Sequence, residues 1–189
     1  MAYVILLAAA ALVGVDQLIK YWAVTELSQV DTIPLINGVL HLTYVENQGA
    51  AFSMLSGKQW LLILLTAVMI GIGVWLLLSG RLKGKFLMWS AGLVIAGGVG
   101  NLIDRVINGF RFAEPGQRLT FLEHIGNSFV IDYIDFRAIN FAIFNFADCC
   151  VVIGTILIAG YILISDSKKA KAEKLLKPEE PPEKPNSEG

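Results

Sequence analysis

The chain of 189 residues is 55% hydrophobic and only 16% charged, with a mean hydropathy of +0.62. Its charges are bunched instead of spread, which excludes an ordinary soluble domain and predicts an integral membrane protein. The formal net charge of −1 offers no case for nucleic-acid binding.

Residues 2–24 are apolar except for Asp16, Gln17 and Lys20. They lack a basic leading segment and a small-residue cleavage site, so a retained helix is expected rather than a removable leader. Asp16 and Lys20 stand four apart on one helix face, which predicts a structural ion pair or a lysine snorkelling near the outer interface. At residues 33–45 the Asn37-Gly38 turn separates two β-prone runs and predicts a small sheet or hairpin outside the membrane. Asn47-Gln48-Gly49-Ala50-Ala51-Phe52 follows, with small residues that permit a tight turn.

Residues 59–80 contain no charge; at about 1.5 Å per residue they extend roughly 33 Å, enough for a hydrocarbon core of about 30 Å. A second uncharged run covers 86–103, and its Gly97-Gly98-Val99-Gly100 predicts close helix contact. In residues 106–131 aromatic side chains alternate with charges, as in an ordered outer loop or an amphipathic element that lies on the bilayer or covers a site. A third uncharged run covers 149–165, with 144–148 as its first turn. The expected fold is membrane all-α: four transmembrane helices, a small extracytoplasmic β-sheet element and an outer loop or helix. Residues 1–167 form one membrane-embedded domain, and 168–189 a basic, then Pro/Glu-rich disordered tail.

Basic residues set the orientation. Arg81, Lys83 and Lys85 fill the loop between the second and third spans, and Lys168, Lys169, Lys171, Lys174 and Lys177 follow the fourth. Both stretches are expected to be cytoplasmic. Both termini then lie inside, and the connections 25–58 and 104–144 lie outside.

Zinc chemistry finds little support in two histidines, His41 and His124, and the adjacent Cys149 and Cys150 form no metal-ligand spacing and read as core or lipid-facing residues. No metal or cofactor is expected. Ser53 and Ser56 are formal partners for Lys20 in a Ser-Lys protease, yet nothing local marks either as activated. Carboxylates remain. Asp104 beside Arg105 reads as an ion-paired helix terminus, and Asp135 with Arg137 as loop charges. Asn145 and Asp148 have the spacing of a capping box. Asp132, in Val130-Ile131-Asp132-Tyr133, sits in an apolar setting with no local partner, and an ionisable residue at membrane depth is a functional-site hypothesis by default.

If Asp132 and Asp148 converge, they share a proton near neutrality, and one serves as general base to a water while the other serves as general acid. Asn47, Asn101, Arg105 and Asn145 are candidates to hydrogen-bond a substrate backbone or orient the carboxylates. Two rival readings use the same residues: a small proton-coupled transporter with Asp16 and Lys20 as a gate, and a non-catalytic scaffold.

Five ordered motifs carry a family likeness: Asp16-Gln17-x-x-Lys20, Asn47-x-Gly49-Ala50-Ala51-Phe52, Gly97-Gly98-x-Gly100-Asn101-Leu102-Ile103-Asp104-Arg105, Val130-Ile131-Asp132-Tyr133 and Phe144-Asn145-x-Ala147-Asp148. Together, over residues 13–153, they resemble the signal peptidase II family of bacterial inner-membrane aspartic peptidases, the lipoprotein signal peptidases. The resemblance implies a catalytic dyad of Asp132 and Asp148, substrate positioning by Asn47, Gly49, Asn101, Arg105 and Asn145, and structural support from Asp16 and Lys20. It implies a diacylglyceryl-modified prolipoprotein substrate cut N-terminal to the lipidated cysteine, contact with membrane lipid, sensitivity to a globomycin-type inhibitor and an active site on the extracytoplasmic side. A monomer is expected. The chain departs from the family pattern between the Asp-Arg and Val-x-Asp motifs, where residues 106–129 replace a short connection, which bears on lid geometry and substrate preference.

Overall fold

The computed structural model describes residues 1–30, 32–49, 59–112 and 119–176. Chain order is α1 (Ala2–Thr25), a 3-10 turn (Leu27–Gln29), β1 (Ile33–Ile36), β2 (Leu40–Asn47), α2 (Gln59–Leu78), α3 (Lys85–Arg111), α4 (Phe121–Gly126), β3 (Val130–Phe136), a 3-10 turn (Arg137–Ile139) and α5 (Phe146–Leu176). Four helices, α1, α2, α3 and α5, are long and apolar enough to cross a membrane. Their outward faces carry large bare side chains such as Leu64, Val68, Ile156 and Leu163. Apolar surface on that scale needs lipid rather than water.

Helix α3 is the central post, packed on α1, α2 and α5. Its glycines set the spacing. A methyl group on Gly97 would run into the Ala147 carbonyl of α5, one on Gly92 would meet Ile5 Cγ2 of α1 at 2.5 Å, and one on Gly100 would lie 2.6 Å from Asp16 Oδ2. Small residues thus bring three backbones together, as the glycine-rich motif predicts.

At one end of the bundle Ile5, Leu77 and Ile95 form an apolar cluster with Leu82 and Met88 packed on it, beside the loop that carries Arg81 and Lys83. The opposite end holds a three-stranded antiparallel sheet in the order β1-β2-β3. Gly38, at φ 72°, takes the left-handed position in the turn between β1 and β2. Phe129, Ile131 and Tyr133 pack the sheet against Ala23 and Leu27 at the end of α1.

Several boundaries differ from the sequence reading. Helix α3 runs to Arg111 instead of stopping near 103, because Asp104 is buried against other protein groups and need not mark an exit to water. The outer segment contains a helix, α4, started by a reciprocal capping box between Thr120 and Glu123. Helix α5 stays helical to Leu176, well past residue 167, through a stretch of Lys, Ala, Glu and Leu with strong helix propensity. The expected disordered segment from 177 onward, and Ser53 and Ser56, lie outside the described residues. Asp135 on β3 and Arg137 in the 3-10 turn that follows form a 2.6 Å ion pair tied to Thr43 on β2, so they are structural charges of the sheet.

Candidate active site

Every candidate site residue comes to the junction of the sheet with α1, α3 and α5. Asp132 lies on β3 and Asn47 on β2; the register pairs Val45 with Asp132 and Asn47 with Val130. Alternation along strands therefore places Asn47 and Asp132 diagonally on one face. The Asn47 amide donates to Asp132 Oδ2 at 2.7 Å, and its own Oδ1 accepts the Gly49 N–H at 2.8 Å. Gly49 has φ 92°, a conformation that a side chain would strain, so glycine there holds the turn that aims Asn47.

Asn145 is fully buried at the start of α5 and joins the two carboxylates. Its Nδ2 donates to Asp132 Oδ1 at 2.6 Å, while its backbone N–H donates to Asp148 Oδ2 at 3.1 Å. In return the Asp148 N–H donates to Asn145 Oδ1 at 3.0 Å, which completes the expected capping box. The other Asp148 oxygen, Oδ1, accepts the Asn101 amide at 2.7 Å. Asp148 thus caps α5 and belongs to the same network as Asp132. Asp132, which the sequence showed without a local partner, has two, both supplied across the fold.

Behind this pair stands a buried ionic core. The Lys20 ammonium spends its three protons on Asp16 Oδ2 at 3.0 Å, Asp104 Oδ2 at 2.9 Å and Asn101 Oδ1 at 3.0 Å. Lys20 is 1% exposed, so it does not snorkel to the interface. Asp16 Oδ1 accepts the Ala147 N–H at 3.1 Å, and Asp104 Oδ2 accepts the Ile131 N–H at 3.0 Å. Asp104 is therefore paired with Lys20 instead of forming a terminus with Arg105. Buried charges survive only when paired and hydrogen-bonded this fully, and removal of one partner typically costs about 3–5 kcal/mol.

Two glutamines to which the sequence reading gave no role belong to the site. Gln17 Nε2 donates to Asp104 Oδ1 at 3.0 Å and to the Gly100 carbonyl at 3.2 Å. Gln59, buried at the start of α2, accepts from Arg105 Nη1 at 3.3 Å and donates to the Gln48 carbonyl. It links Arg105 to the turn that bears Gly49. Gln17 stood within the first family motif, whereas the signal for Gln59 was a polar residue adjoining an apolar span, too common to single it out. Tyr133 was passed over as well; its hydroxyl accepts the Phe146 N–H at 3.1 Å, one of the orphan donors at the head of α5.

Asn101, Arg105 and Asp148 line a cavity of about 620 Å³, whose remaining wall is apolar apart from Thr66 and Thr155 and runs between α2, α3 and α5 past Met69, Ile70, Val151 and Ile158. Burial pushes the Asp132 carboxyl up to about 6; the Asn47 and Asn145 hydrogen bonds oppose the rise and the charge of Asp148 adds to it. A carboxyl group raised in this way can carry a proton at mildly acidic pH, as a general acid must. Among the described residues no three His, Cys, Asp or Glu side chains converge as a metal-binding group.

Comparison with known proteins agrees with this architecture. The family described as Signal peptidase (SPase) II matches residues 8–164. A lipoprotein signal peptidase of Clostridioides difficile (strain 630) is 41% identical over 157 residues, 83% of this chain and 93% of that protein. One from Clostridium acetobutylicum is 38% identical over 155 residues, 82% of this chain and 90% of that protein. A solved structure described as a bacterial membrane enzyme obtained by the in meso method superposes with a TM-score of 0.70 at 28% identity, over 95% of this chain and 94% of its own. A second of the same description gives 0.67 at 30%, over 86% and 92%.

Proposed function

The chain belongs to the signal peptidase II family, and from that premise we propose that it removes signal peptides from prolipoproteins as an aspartic endopeptidase with Asp132 and Asp148 as its dyad. The observation that carries the catalytic type is the bridge at Asn145, which binds both carboxylates at once where an apolar cavity ends. One carboxylate takes a proton from water as the water attacks the scissile carbonyl. The other gives its proton to the developing oxyanion, and the roles redistribute as the amine leaves. Asn145 and Asn47 hold Asp132, Asn101 holds Asp148, and Gly49 fixes Asn47. Arg105, at the cavity mouth, is suited to bind a substrate carbonyl. Asp16 and Lys20 support the site from behind.

The substrate of this reading carries diacylglycerol on the cysteine that follows the scissile bond. The apolar wall between α2 and α5 suits acyl chains and a hydrophobic signal segment, with the polar end placed at the bilayer surface. A globomycin-type inhibitor would occupy the same end. The protein works as a monomer in the bacterial inner membrane, with both termini cytoplasmic and the dyad facing outward; the basic residues at 81–85 and after 167 support that orientation. Residues 1–167 are the peptidase unit. A proton-coupled transporter would need its carboxylates midway along the spans, whereas Asp132 stands on a strand and Asp148 in the first turn of α5.

The test is cleavage by purified protein in detergent of a prolipoprotein with and without diacylglyceryl modification. Cleavage of the modified form alone, N-terminal to the cysteine, is expected. Equal cleavage of both forms would remove the lipid specificity, and no cleavage of either would remove the enzyme.

A further inference from the structure

Helix α4 does not hang free. Gly109 lies so close to the His124 carbonyl that any Cβ there would overlap it, and the His124 Nδ1–H donates to the Gly109 carbonyl at 2.8 Å. His124 also stacks on Phe110 with ring centroids 4.4 Å apart, and Asn108 Nδ2 donates to the Phe129 carbonyl at 3.0 Å. Helix α4 is pinned to the end of α3. Its uncovered side carries two large apolar side chains, Phe121 at 65% and Leu122 at 72% exposure, next to the exposed polar Thr120 and Glu123 of the cap.

The level at which this face sits follows from α3. At one end of the bundle Tyr3, Trp75, Phe86 and Trp89 stand exposed, the position of an aromatic belt. From Phe86 to Phe110 the helix climbs roughly 36 Å at about 1.5 Å per residue, against a hydrocarbon core of about 30 Å. Phe110 therefore stands at the opposite boundary, where Tyr21, Trp22 and Trp60 are also exposed. The Phe121 ring lies 5.6 Å from the Phe110 ring, so α4 shares that level. The exposed face is continuous with the outward face of α3, through Val106, Ile107 and Phe110. Arg111 stands beside it, 5.9 Å from the Tyr21 ring, with its charge available to lipid phosphate.

We propose that α4 is a bilayer-contacting element, with Phe121 and Leu122 inserted among the outer-leaflet lipids at the headgroup and upper acyl level. The occupant of this surface is the membrane itself. Substrate covers a different region, the cavity between α2 and α5, and α4 acts as a fixed anchor beside the sheet that carries Asp132.

The test reads depth without reference to cleavage. In a Cys149→Ser, Cys150→Ser background, single cysteines replace Leu122, Phe121, Val68 in mid-span or Ser28 beyond α1, each carrying a small fluorophore in bilayer discs. Phospholipids brominated near the glycerol end should quench the probes at 122 and 121 roughly twofold or more over lipids brominated near the chain end, the reverse of the probe at 68. Aqueous iodide should quench the probe at 28 and spare the other three. Iodide quenching at both 122 and 121 equal to that at 28 would overturn the proposal. Protection of both from iodide and from either lipid would also overturn it, since the face would then be covered by protein.

Discussion

Asp148 caps α5 with one oxygen and takes the Asn101 amide on the other, so its substitution must separate a helix-stabilising role from a catalytic one. Asparagine at 148 keeps an oxygen for the Asn145 N–H but turns its NH2 toward the Asn101 amide, so Asp148→Asn should lose about 1–3 kcal/mol, the cost of one unmade buried hydrogen bond, and stay folded. An amide cannot exchange the proton, and turnover should fall by at least about 10²–10⁴-fold. Asp132→Asn should do likewise, and the double variant should be scarcely slower than either single one, because the two act as a unit. Cleavage rate measured beside thermal stability checks all three. Near-normal turnover in Asp148→Asn would leave capping as its whole role.

The raised Asp132 carboxyl gives that dyad a pH dependence with a definite sign. Asp132 holds its proton up to about 6, so with Asp132 as the proton donor of the proposed dyad kcat/KM should show its falling limb as pH rises through that value. The Asn47 amide donates to the ionised form and so favours it. Asn47→Ala should therefore move the limb to higher pH as well as lower the maximum. A limb that moved to lower pH would show that Asn47 does not act on Asp132 in this way.

At the scale of elements, the glycines of α3 differ in what surrounds them. Gly97→Ala forces a methyl group into the Ala147 carbonyl. It should destabilise by about 1–3 kcal/mol, as overpacking does, and because Asp148 follows Ala147, a shift of about 1 Å should cost roughly 10²-fold in rate. Gly71→Ala on α2 meets nothing within 4 Å and should be neutral or stabilise by about 0.5–1 kcal/mol. Thermal melts of the two variants in one detergent check the contrast. The spans themselves were readable from uncharged runs, and the first hairpin from Asn37-Gly38. The end of α3 was not, because Asp104 and Arg105 look the same in sequence whether a charge exits to water or is buried on Lys20. Strand β3 was hidden too: buried on nearly every position, it shows no alternation, and only its pairing with β2 defines it.

In the molecule as a whole, polarity is segregated along the bundle axis. Lys20, Asp16, Asp104 and the dyad gather where the sheet stands, whereas the far end is an apolar cluster beside Arg81 and Lys83. The two candidate aspartates were legible because a carboxylate near a bilayer demands a reason. Asn47, Asn101 and Asn145 were legible as candidates to orient them, but which amide holds which carboxylate was not, since Asn47 and Asn101 reach them from β2 and α3 across 85 and 47 residues. The basic loop predicts which end faces the cytoplasm, and the site's polarity gives no independent vote. Single cysteines in the Cys149→Ser, Cys150→Ser background decide it. Ser28→Cys, next to the sheet, should react with a membrane-impermeant maleimide in intact cells, and Lys83→Cys only after permeabilisation. The reverse pattern would place the dyad on the cytoplasmic side, where a translocated prolipoprotein's cleavage point could not reach it, and the proposed substrate would have to be abandoned along with the orientation.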